Sequence, residues 1–271
     1  MSCEVVAIPS GSALGAEVRG VDLARELNEE VVARIRAALL LHLVLVFRDQ
    51  RITPPQQAVF ARRFGELQEH DYFAGLPEEP AVIEIRKEPE QTQGFGASWH
   101  SDNSYLPDPP LGAVLHAIEL PATGGDTLWS NQILAFEALP EPLKARVETL
   151  RAVHRADAAF GIRRRLGQPT LATTREVVHP LVRTHPESGR RALFHSGVCT
   201  VWLEGWGVDA SRAFLDDLLR RATQPDLVYR HRWQPHDVVF WDNRCTLHLA
   251  MNDYPGQRRV VHRVCIQGHG P

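Results

Sequence analysis

The chain has 271 residues, 44% of them hydrophobic and 23% charged, with a net charge of −3. That is the composition of a folded globular protein long enough for a substantial core. It excludes a disordered chain, and binding to nucleic acid or an anionic membrane through global positive charge.

The four cysteines, Cys3, Cys199, Cys245 and Cys265, are scattered without a Cys-x-x-Cys pair, which argues against structural zinc and against a disulfide framework. The segment Met1 to Ala7 carries Glu4 and lacks both a basic region and a long apolar region of signal-peptide type. The longest apolar run, Ala37 to Phe47, is broken by His42 and is well short of the ~20 residues that span a bilayer. A cytoplasmic protein with no membrane partner and no nucleic-acid partner is expected. The basic cluster Arg163-Arg164-Arg165 reads as a solvated face.

In chain order, short strands are predicted near Val5 to Ile8 and Ala16 to Val18. Asn28 caps an amphipathic helix from Glu29 to about Leu41, and Leu43 to Phe47 follows as a strand. Thr53-Pro54 opens a second helix that runs to Phe64 before Gly65. From Ala81 the texture changes to short β-type runs: Ala81 to Ile85, Leu111 to Ile118, Arg151 to His154, His179 to Arg183, Ala192 to Phe194, Val228 to Arg232, Val238 to Trp241 and Val260 to Ile266. Helices interrupt them at about Gln132 to Leu150, split by Pro140 and Pro142, and at Ala210 to Ala222. Many short strands with Gly/Pro-marked turns predict a mainly β sandwich or barrel with flanking helices. One domain over residues 1–271 is expected, its αβ N-terminal part (1–80) packing on a β core with helical insertions (81–271).

Chemistry concentrates around Trp99-His100-Ser101-Asp102-Asn103-Ser104-Tyr105. On an extended segment, residues two apart project from one face, so His100 and Asp102 can reach one ion. His248, beyond the hydrogen-bonding turn Asp242-Asn243-Arg244, is the candidate third ligand. Two histidines and one carboxylate form the facial triad used for Fe(II), with coordination positions left open. A structural zinc site would more often recruit a fourth protein ligand.

The strand holding Arg259, Val261 and Arg263 alternates so that these three share a face. Arginines on the inner face of a β core are costly unless they meet anions, and a guanidinium fork suits a carboxylate or sulfonate. Gly124-Gly125-Asp126-Thr127 reads as a hairpin turn from which Thr127 can offer a hydroxyl beside an arginine. A competing pair, His185-Pro186-Glu187, reads as a chain reversal. On these residues alone, a zinc hydrolase or isomerase and a non-catalytic anion-binding protein stand beside an iron enzyme.

Together, Trp99-His100-x-Asp102, Gly124-Gly125-Asp126-Thr127-x-Trp129, His179-Pro180-Leu181-Val182-Arg183-Thr184-His185-Pro186 and Trp241-Asp242-Asn243-Arg244 through His248 to Arg259 and Arg263 resemble the taurine dioxygenase family of Fe(II)/α-ketoglutarate-dependent dioxygenases. The resemblance implies a double-stranded β-helix, or jelly roll, and homodimers or homotetramers. It implies iron held by His100, Asp102 and His248, with O2 and α-ketoglutarate as cosubstrates. Thr127 and Arg259 would hold the distal carboxylate of α-ketoglutarate, and Arg263 the acidic group of a small-molecule substrate. The implied reaction is hydroxylation of a small organic acid (a sulfonate, sulfate ester, aryloxy acid or other carboxylate), with release of succinate and CO2. His70 and Phe160 match substrate-pocket positions, and Asn103 and Tyr105 should face the same cavity. Gly96 and Val198 stand where the family carries an asparagine and a phenylalanine, which points away from taurine itself.

Overall fold

The computed structural model describes residues 6–70, 73–156 and 176–269. Its N-terminal part follows from local signals. After β1 (Val6–Pro9) and β2 (Ala16–Arg19), the Asn28 side chain accepts a hydrogen bond from the Val31 N–H and starts α1 (Glu29–His42), which buries Val32, Ile35 and Leu39 at helical spacing. Leu43 then takes a left-handed turn (φ 63°) that sends the chain into β3 (Val44–Phe47). A complete capping box, Thr53 with Gln56, opens α2 (Pro54–Arg62).

The main sheet also takes in β4 (Leu67–Gln68), β5 (Gly75–Leu76), β6 (Glu79–Lys87) and β7 (Gly112–Glu119). A second group begins with β8 (Thr127–Asn131), followed by α3 (Gln132–Glu137), α4 (Glu141–Val147) and β9 (Arg151–Arg155). Then come β10 (Glu176–Pro180), β11 (Val182–Thr184), β12 (Arg191–Leu193), β13 (Thr200–Leu203) and α5 (Val208–Ala222). The chain closes with β14 (Val228–His231), β15 (Val238–Asp242), β16 (Thr246–Ala250) and β17 (Arg259–Ile266).

Among the described residues, the large sheet runs β1-β2-β3-β15-β7-β17-β6-β5, and a smaller sheet runs β14-β8-β16. The strand β17 is central: it pairs antiparallel with β6 on one side and β7 on the other. Its alternation divides the core. Val264 and Ile266 pack under α1 and α2 with Ile35, Phe60 and Phe64, while Val261 and Cys265 face the other way, with Trp129, Leu115 and Trp241. Two facing sheets with helices on the outer side form a jelly-roll core: the strand pattern predicts a sandwich or barrel, and the family resemblance the jelly roll.

Most predicted elements lie within a residue or two of their observed bounds. The one strand predicted over His179 to Arg183 is two, β10 and β11, in separate sheets; β4, β5 and β13 have no predicted counterpart; and β8 and β16 occupy stretches that read as turns, with His248 in mid-strand. No described helix is long and apolar enough to cross a membrane. The cluster Arg163-Arg164-Arg165 lies outside the described residues.

Candidate metal and anion site

The site lies between the two sheets. His100 and His248 face each other across an antiparallel bridge, each backbone N–H donating to the other's carbonyl at 2.9 and 2.8 Å. This register brings the imidazoles together, their planes tilted by 45° and centroids 4.0 Å apart. Asp102 Oδ1 lies 3.8 Å from His100 Nε2 and 3.9 Å from His248 Nε2.

Asn243 fixes the carboxylate's backbone. Its side-chain oxygen accepts the Asp102 N–H (2.9 Å) and the Ser101 hydroxyl (3.2 Å), and its amide donates to the Asp102 carbonyl (3.1 Å). The predicted role of the Asp242-Asn243-Arg244 turn in holding a loop is thus met by a named set of bonds.

The donor chemistry fits a divalent transition metal. His100 Nδ1 lies 2.7 Å from the Ser98 carbonyl, which places the ring proton there and leaves the Nε2 lone pair free. Burial lowers the pKa of His100, and burial together with the His100 ring holds His248 at about 3, so both rings are neutral ligands at pH 7. Burial alone would raise the Asp102 carboxyl, but Arg263 and the two histidines outweigh it and hold the pKa at about 2. Asp102 Oδ2 is buried without a hydrogen-bond partner. Two neutral nitrogens and one carboxylate, all within 4.8 Å of one another, match the triad pattern rather than a closed tetrahedral zinc site.

A second group, His185, Asp242 and Cys245, is equally tight but already satisfied. Asp242 accepts from the Arg244 backbone N–H, from Arg244 Nε and Nη2, and from His185 Nε2. His185 Nδ1 in turn accepts the backbone N–H groups of Glu187 and Ser188. With those lone pairs engaged, this cluster braces the His185-Pro186-Glu187 turn, in line with the sequence reading.

Beside the triad is a cavity of about 420 Å³, part of it open to solvent. Ile85, Leu115, Val261, Phe95, Trp129 and Trp241 give it an apolar wall, and Thr127, Arg259 and Arg263 its polar groups. Arg259 is 6% exposed, and its Nε and Nη2 have no partner. Burial lowers its pKa, with Tyr254 and Asp126 partly offsetting that. Gly125 (φ 72°) closes the turn beside it: an added Cβ would be strained by the positive φ and crowd Pro121 Cγ at 3.1 Å, while touching Arg259 Cδ at 3.4 Å. Gly96 (φ 75°) presents no side chain where a Cβ would sit 3.2 Å from His100 Cε1, so the wall over the metal position is open.

Arg263 is more engaged than the sequence suggests. One of its nitrogens donates to Asp102 Oδ1 at 2.8 Å, and its Nε is buried without a partner. It also borders a second cavity of about 200 Å³, shared with Gln68, His70, Asn103 and Cys265. His70 packs edge-on to Phe73 (4.8 Å), and Phe73 to Phe95 (5.4 Å), linking the two cavities by a row of rings.

Tyr105 donates to Asn103 Oδ1 (3.1 Å) but belongs with Val198, Leu106 and Cys199 to a separate small cluster that does not line either of these cavities. Phe160 lies outside the described residues. Sequence reasoning missed Phe95 and Trp233 as site residues. Both lie in short polar stretches without periodicity.

A neutral His₂/carboxylate triad in a jelly roll, beside a buried unpaired arginine, defines a non-haem iron oxygenase that takes an anionic cosubstrate. The comparisons agree. Residues 7–265 match the profile of the "Taurine catabolism dioxygenase TauD, TfdA family", and the chain belongs to that family. It is 36% identical to an alkylsulfatase of Acinetobacter baylyi, over 94% of this chain and 82% of that one. It is 35% identical to an alpha-ketoglutarate-dependent sulfate ester dioxygenase of Pseudomonas putida, covering 97% and 89%. Among solved structures, AAD-2 in complex with Mn(II) and N-oxalylglycine superposes with a TM-score of 0.85 at 30% identity, covering 99% of both chains. The protein is an α-ketoglutarate-dependent dioxygenase that uses Fe(II) and O2 and acts on a small organic substrate.

Proposed function

We propose that the substrate is an alkyl sulfate ester, hydroxylated at the carbon that bears the ester oxygen. The observation that carries this reading is the pairing of an apolar cavity with a small polar one through Arg263. The first suits an alkyl chain, and in the second Arg263, His70, Gln68 and Asn103 border one small space that suits an anion. Donors arriving from several directions suit a three-oxygen sulfate better than a planar carboxylate. The names of the two relatives above support the same choice.

In this reading His100, Asp102 and His248 hold the iron. Bound iron supplies the coupling of α-ketoglutarate decarboxylation to C–H hydroxylation. Thr127 and Arg259 bind the distal carboxylate of α-ketoglutarate. Arg263 and His70 orient the ester so that its first carbon faces the triad, and Trp129, Trp241 and Val261 limit water around it. The hydroxylated ester is a hemiacetal sulfate, whose C–O bond to sulfate breaks as the hydroxyl proton leaves, giving an aldehyde and inorganic sulfate. One O2 and one α-ketoglutarate are consumed per ester, and one succinate and one CO2 are released.

The buried free thiols Cys199, Cys245 and Cys265 suit a reducing, cytoplasmic setting, and a homodimer or homotetramer is the assembly this reading carries. The test is a succinate-release screen over primary alkyl sulfates, alkanesulfonates and aryloxy acids. Equal yields of succinate, sulfate and aldehyde from a medium-chain alkyl sulfate are expected. Turnover of aryloxy acids with none of alkyl sulfates would overturn the assignment.

A further inference from the structure

Trp233 makes no bond to the triad, yet it touches both polar groups at the opposite end of the cavity. Its indole N–H donates to the Thr127 hydroxyl at 3.0 Å, and the Arg259 guanidinium lies 5.7 Å from its ring centroid. The first contact has a directional consequence. A threonine hydroxyl has one proton and two acceptor lone pairs. With one lone pair taken by Trp233 and no other partner in the described bonds, the hydroxyl keeps its proton and one lone pair, and the proton is available to the cavity that Thr127 lines. The same cavity receives the unpaired donors of Arg259.

Trp233 is itself held from behind. Its ring meets that of His231 edge to face, with centroids 4.7 Å apart and planes at 85°. His231, the residue paired with Thr127 across β14 and β8, is fully buried. Its Nε2 lies 3.0 Å from Asp237 Oδ2, and its Nδ1 lies 3.1 Å from the Tyr229 hydroxyl. Burial lowers the His231 pKa despite Asp237, so the ring is neutral: it donates to Asp237 and accepts from Tyr229. Asp237 is anchored in turn by Arg48 and by the Gln234 N–H. The indole therefore has little freedom to turn.

We propose that Trp233 is a positioning residue for α-ketoglutarate: by donating to Thr127 it fixes the hydroxyl rotor so that its proton is already directed to the distal carboxylate beside Arg259. This rests on the reading of Thr127 and Arg259 as the distal-carboxylate site. Trp233→Phe keeps the ring against Arg259 and His231 and removes only the N–H. The hydroxyl is then free to rotate, and its proton is no longer held toward the carboxylate before the ligand arrives.

The experiment is anaerobic titration calorimetry on Mn(II)-loaded protein with α-ketoglutarate and with 2-oxobutyrate, which shares the chelating end but has no distal carboxylate. Trp233→Phe is expected to weaken α-ketoglutarate roughly 3- to 10-fold, the range of one hydrogen bond, and to leave 2-oxobutyrate unchanged. The double variant Trp233→Phe/Thr127→Val should bind no more weakly than Thr127→Val alone. Trp233→Leu, which removes the ring too, should cost α-ketoglutarate more and 2-oxobutyrate nothing, and it stands in should the phenylalanine variant not fold.

Equal weakening of both acids, unchanged affinity for both, or additivity in the double variant would overturn the proposal. Arg259→Gln separates the two layers. If it fails to discriminate between the acids, the carboxylate reading falls and the inference with it; if it discriminates and Trp233→Phe does not, the inference alone falls.

Discussion

Replacing Arg259 with methionine is expected to stabilise the ligand-free protein while abolishing its response to α-ketoglutarate. The guanidinium is buried, its Nε and Nη2 lack partners, and the charge is disfavoured by desolvation. Each unsatisfied buried donor costs ~1–3 kcal/mol, and the cavity's partial opening to solvent favours the low end, or roughly 2 kcal/mol for the pair. Loss of the contact with the Trp233 face returns roughly 1 kcal/mol, leaving a net gain of about 1 kcal/mol. For a chain of this size that is a rise of about 2 °C in Tm. The wild type, in contrast, should gain about 2.7 kcal/mol, or roughly 5 °C, from α-ketoglutarate at a hundred times its Kd. The assay is thermal unfolding of Mn(II)-loaded protein with and without α-ketoglutarate. A variant that melts several degrees below wild type, or that keeps the ligand shift, would refute the idea that Arg259 is held unpaired for that anion.

Three further outcomes follow from the geometry. Asn243→Ala removes the clamp on Ser101 and Asp102 and should weaken metal affinity by about 10- to 100-fold, read by competition with a chromophoric chelator; unchanged affinity would mean that the loop is held otherwise. Gly96→Ala, at φ 75° and with its Cβ 3.2 Å from His100 Cε1, should cost about 1 kcal/mol or more in a urea melt and displace His100; full metal content at unchanged stability would contradict this. His116 is buried, and burial with His262 and His236 lowers its pKa from 6.5 to about 4. The unfolded chain therefore takes up a proton at a higher pH than the folded one, so this contribution is complete above pH 6.5 and is lost as pH falls toward 4. At pH 5 the loss is about 2 kcal/mol. His195, also held near 4 by burial, and the other buried histidines, His248 and His154 among them, add slopes of the same sign, so His116→Gln should reduce, without abolishing, the fall in urea midpoint between pH 7 and pH 5. An identical slope in the variant would rule His116 out.

What was legible in the sequence was local. Asn28 and Thr53 announce their helices because a cap is a contact over three residues, and β17 announces itself by its run of β-branched and apolar residues from Val260 to Ile266. The strands β8 and β16, which carry Thr127 and His248, were read as turns. Their polar residues serve bonds that alternation cannot reveal: Thr246 donates to the Asp242 carbonyl, and Asn131 caps α3. Their partners are distant in sequence too, since β8 pairs with β14 and β16 more than ninety residues later. The Arg263–Asp102 bond spans 161 residues and was likewise invisible. Residue chemistry brought out the triad residues and the two arginines, whereas only the fold shows that Arg263 meets Asp102 while Arg259 keeps buried donors unpaired.

The pairing of β17 on both sides has a consequence for how such an enzyme can change. Arg259 and Arg263 sit on a strand flanked by β6 and β7, and Thr127 begins one flanked by β14 and β16, so their backbones open only with the sheets themselves. Phe95, His70 and Asn103 line the two cavities from outside the strands. Arg259, Arg263 and Thr127 are thus a fixed chassis, and the loop residues an exchangeable fitting: the cavity walls at those three positions can be varied without disturbing the pairing of the sheets.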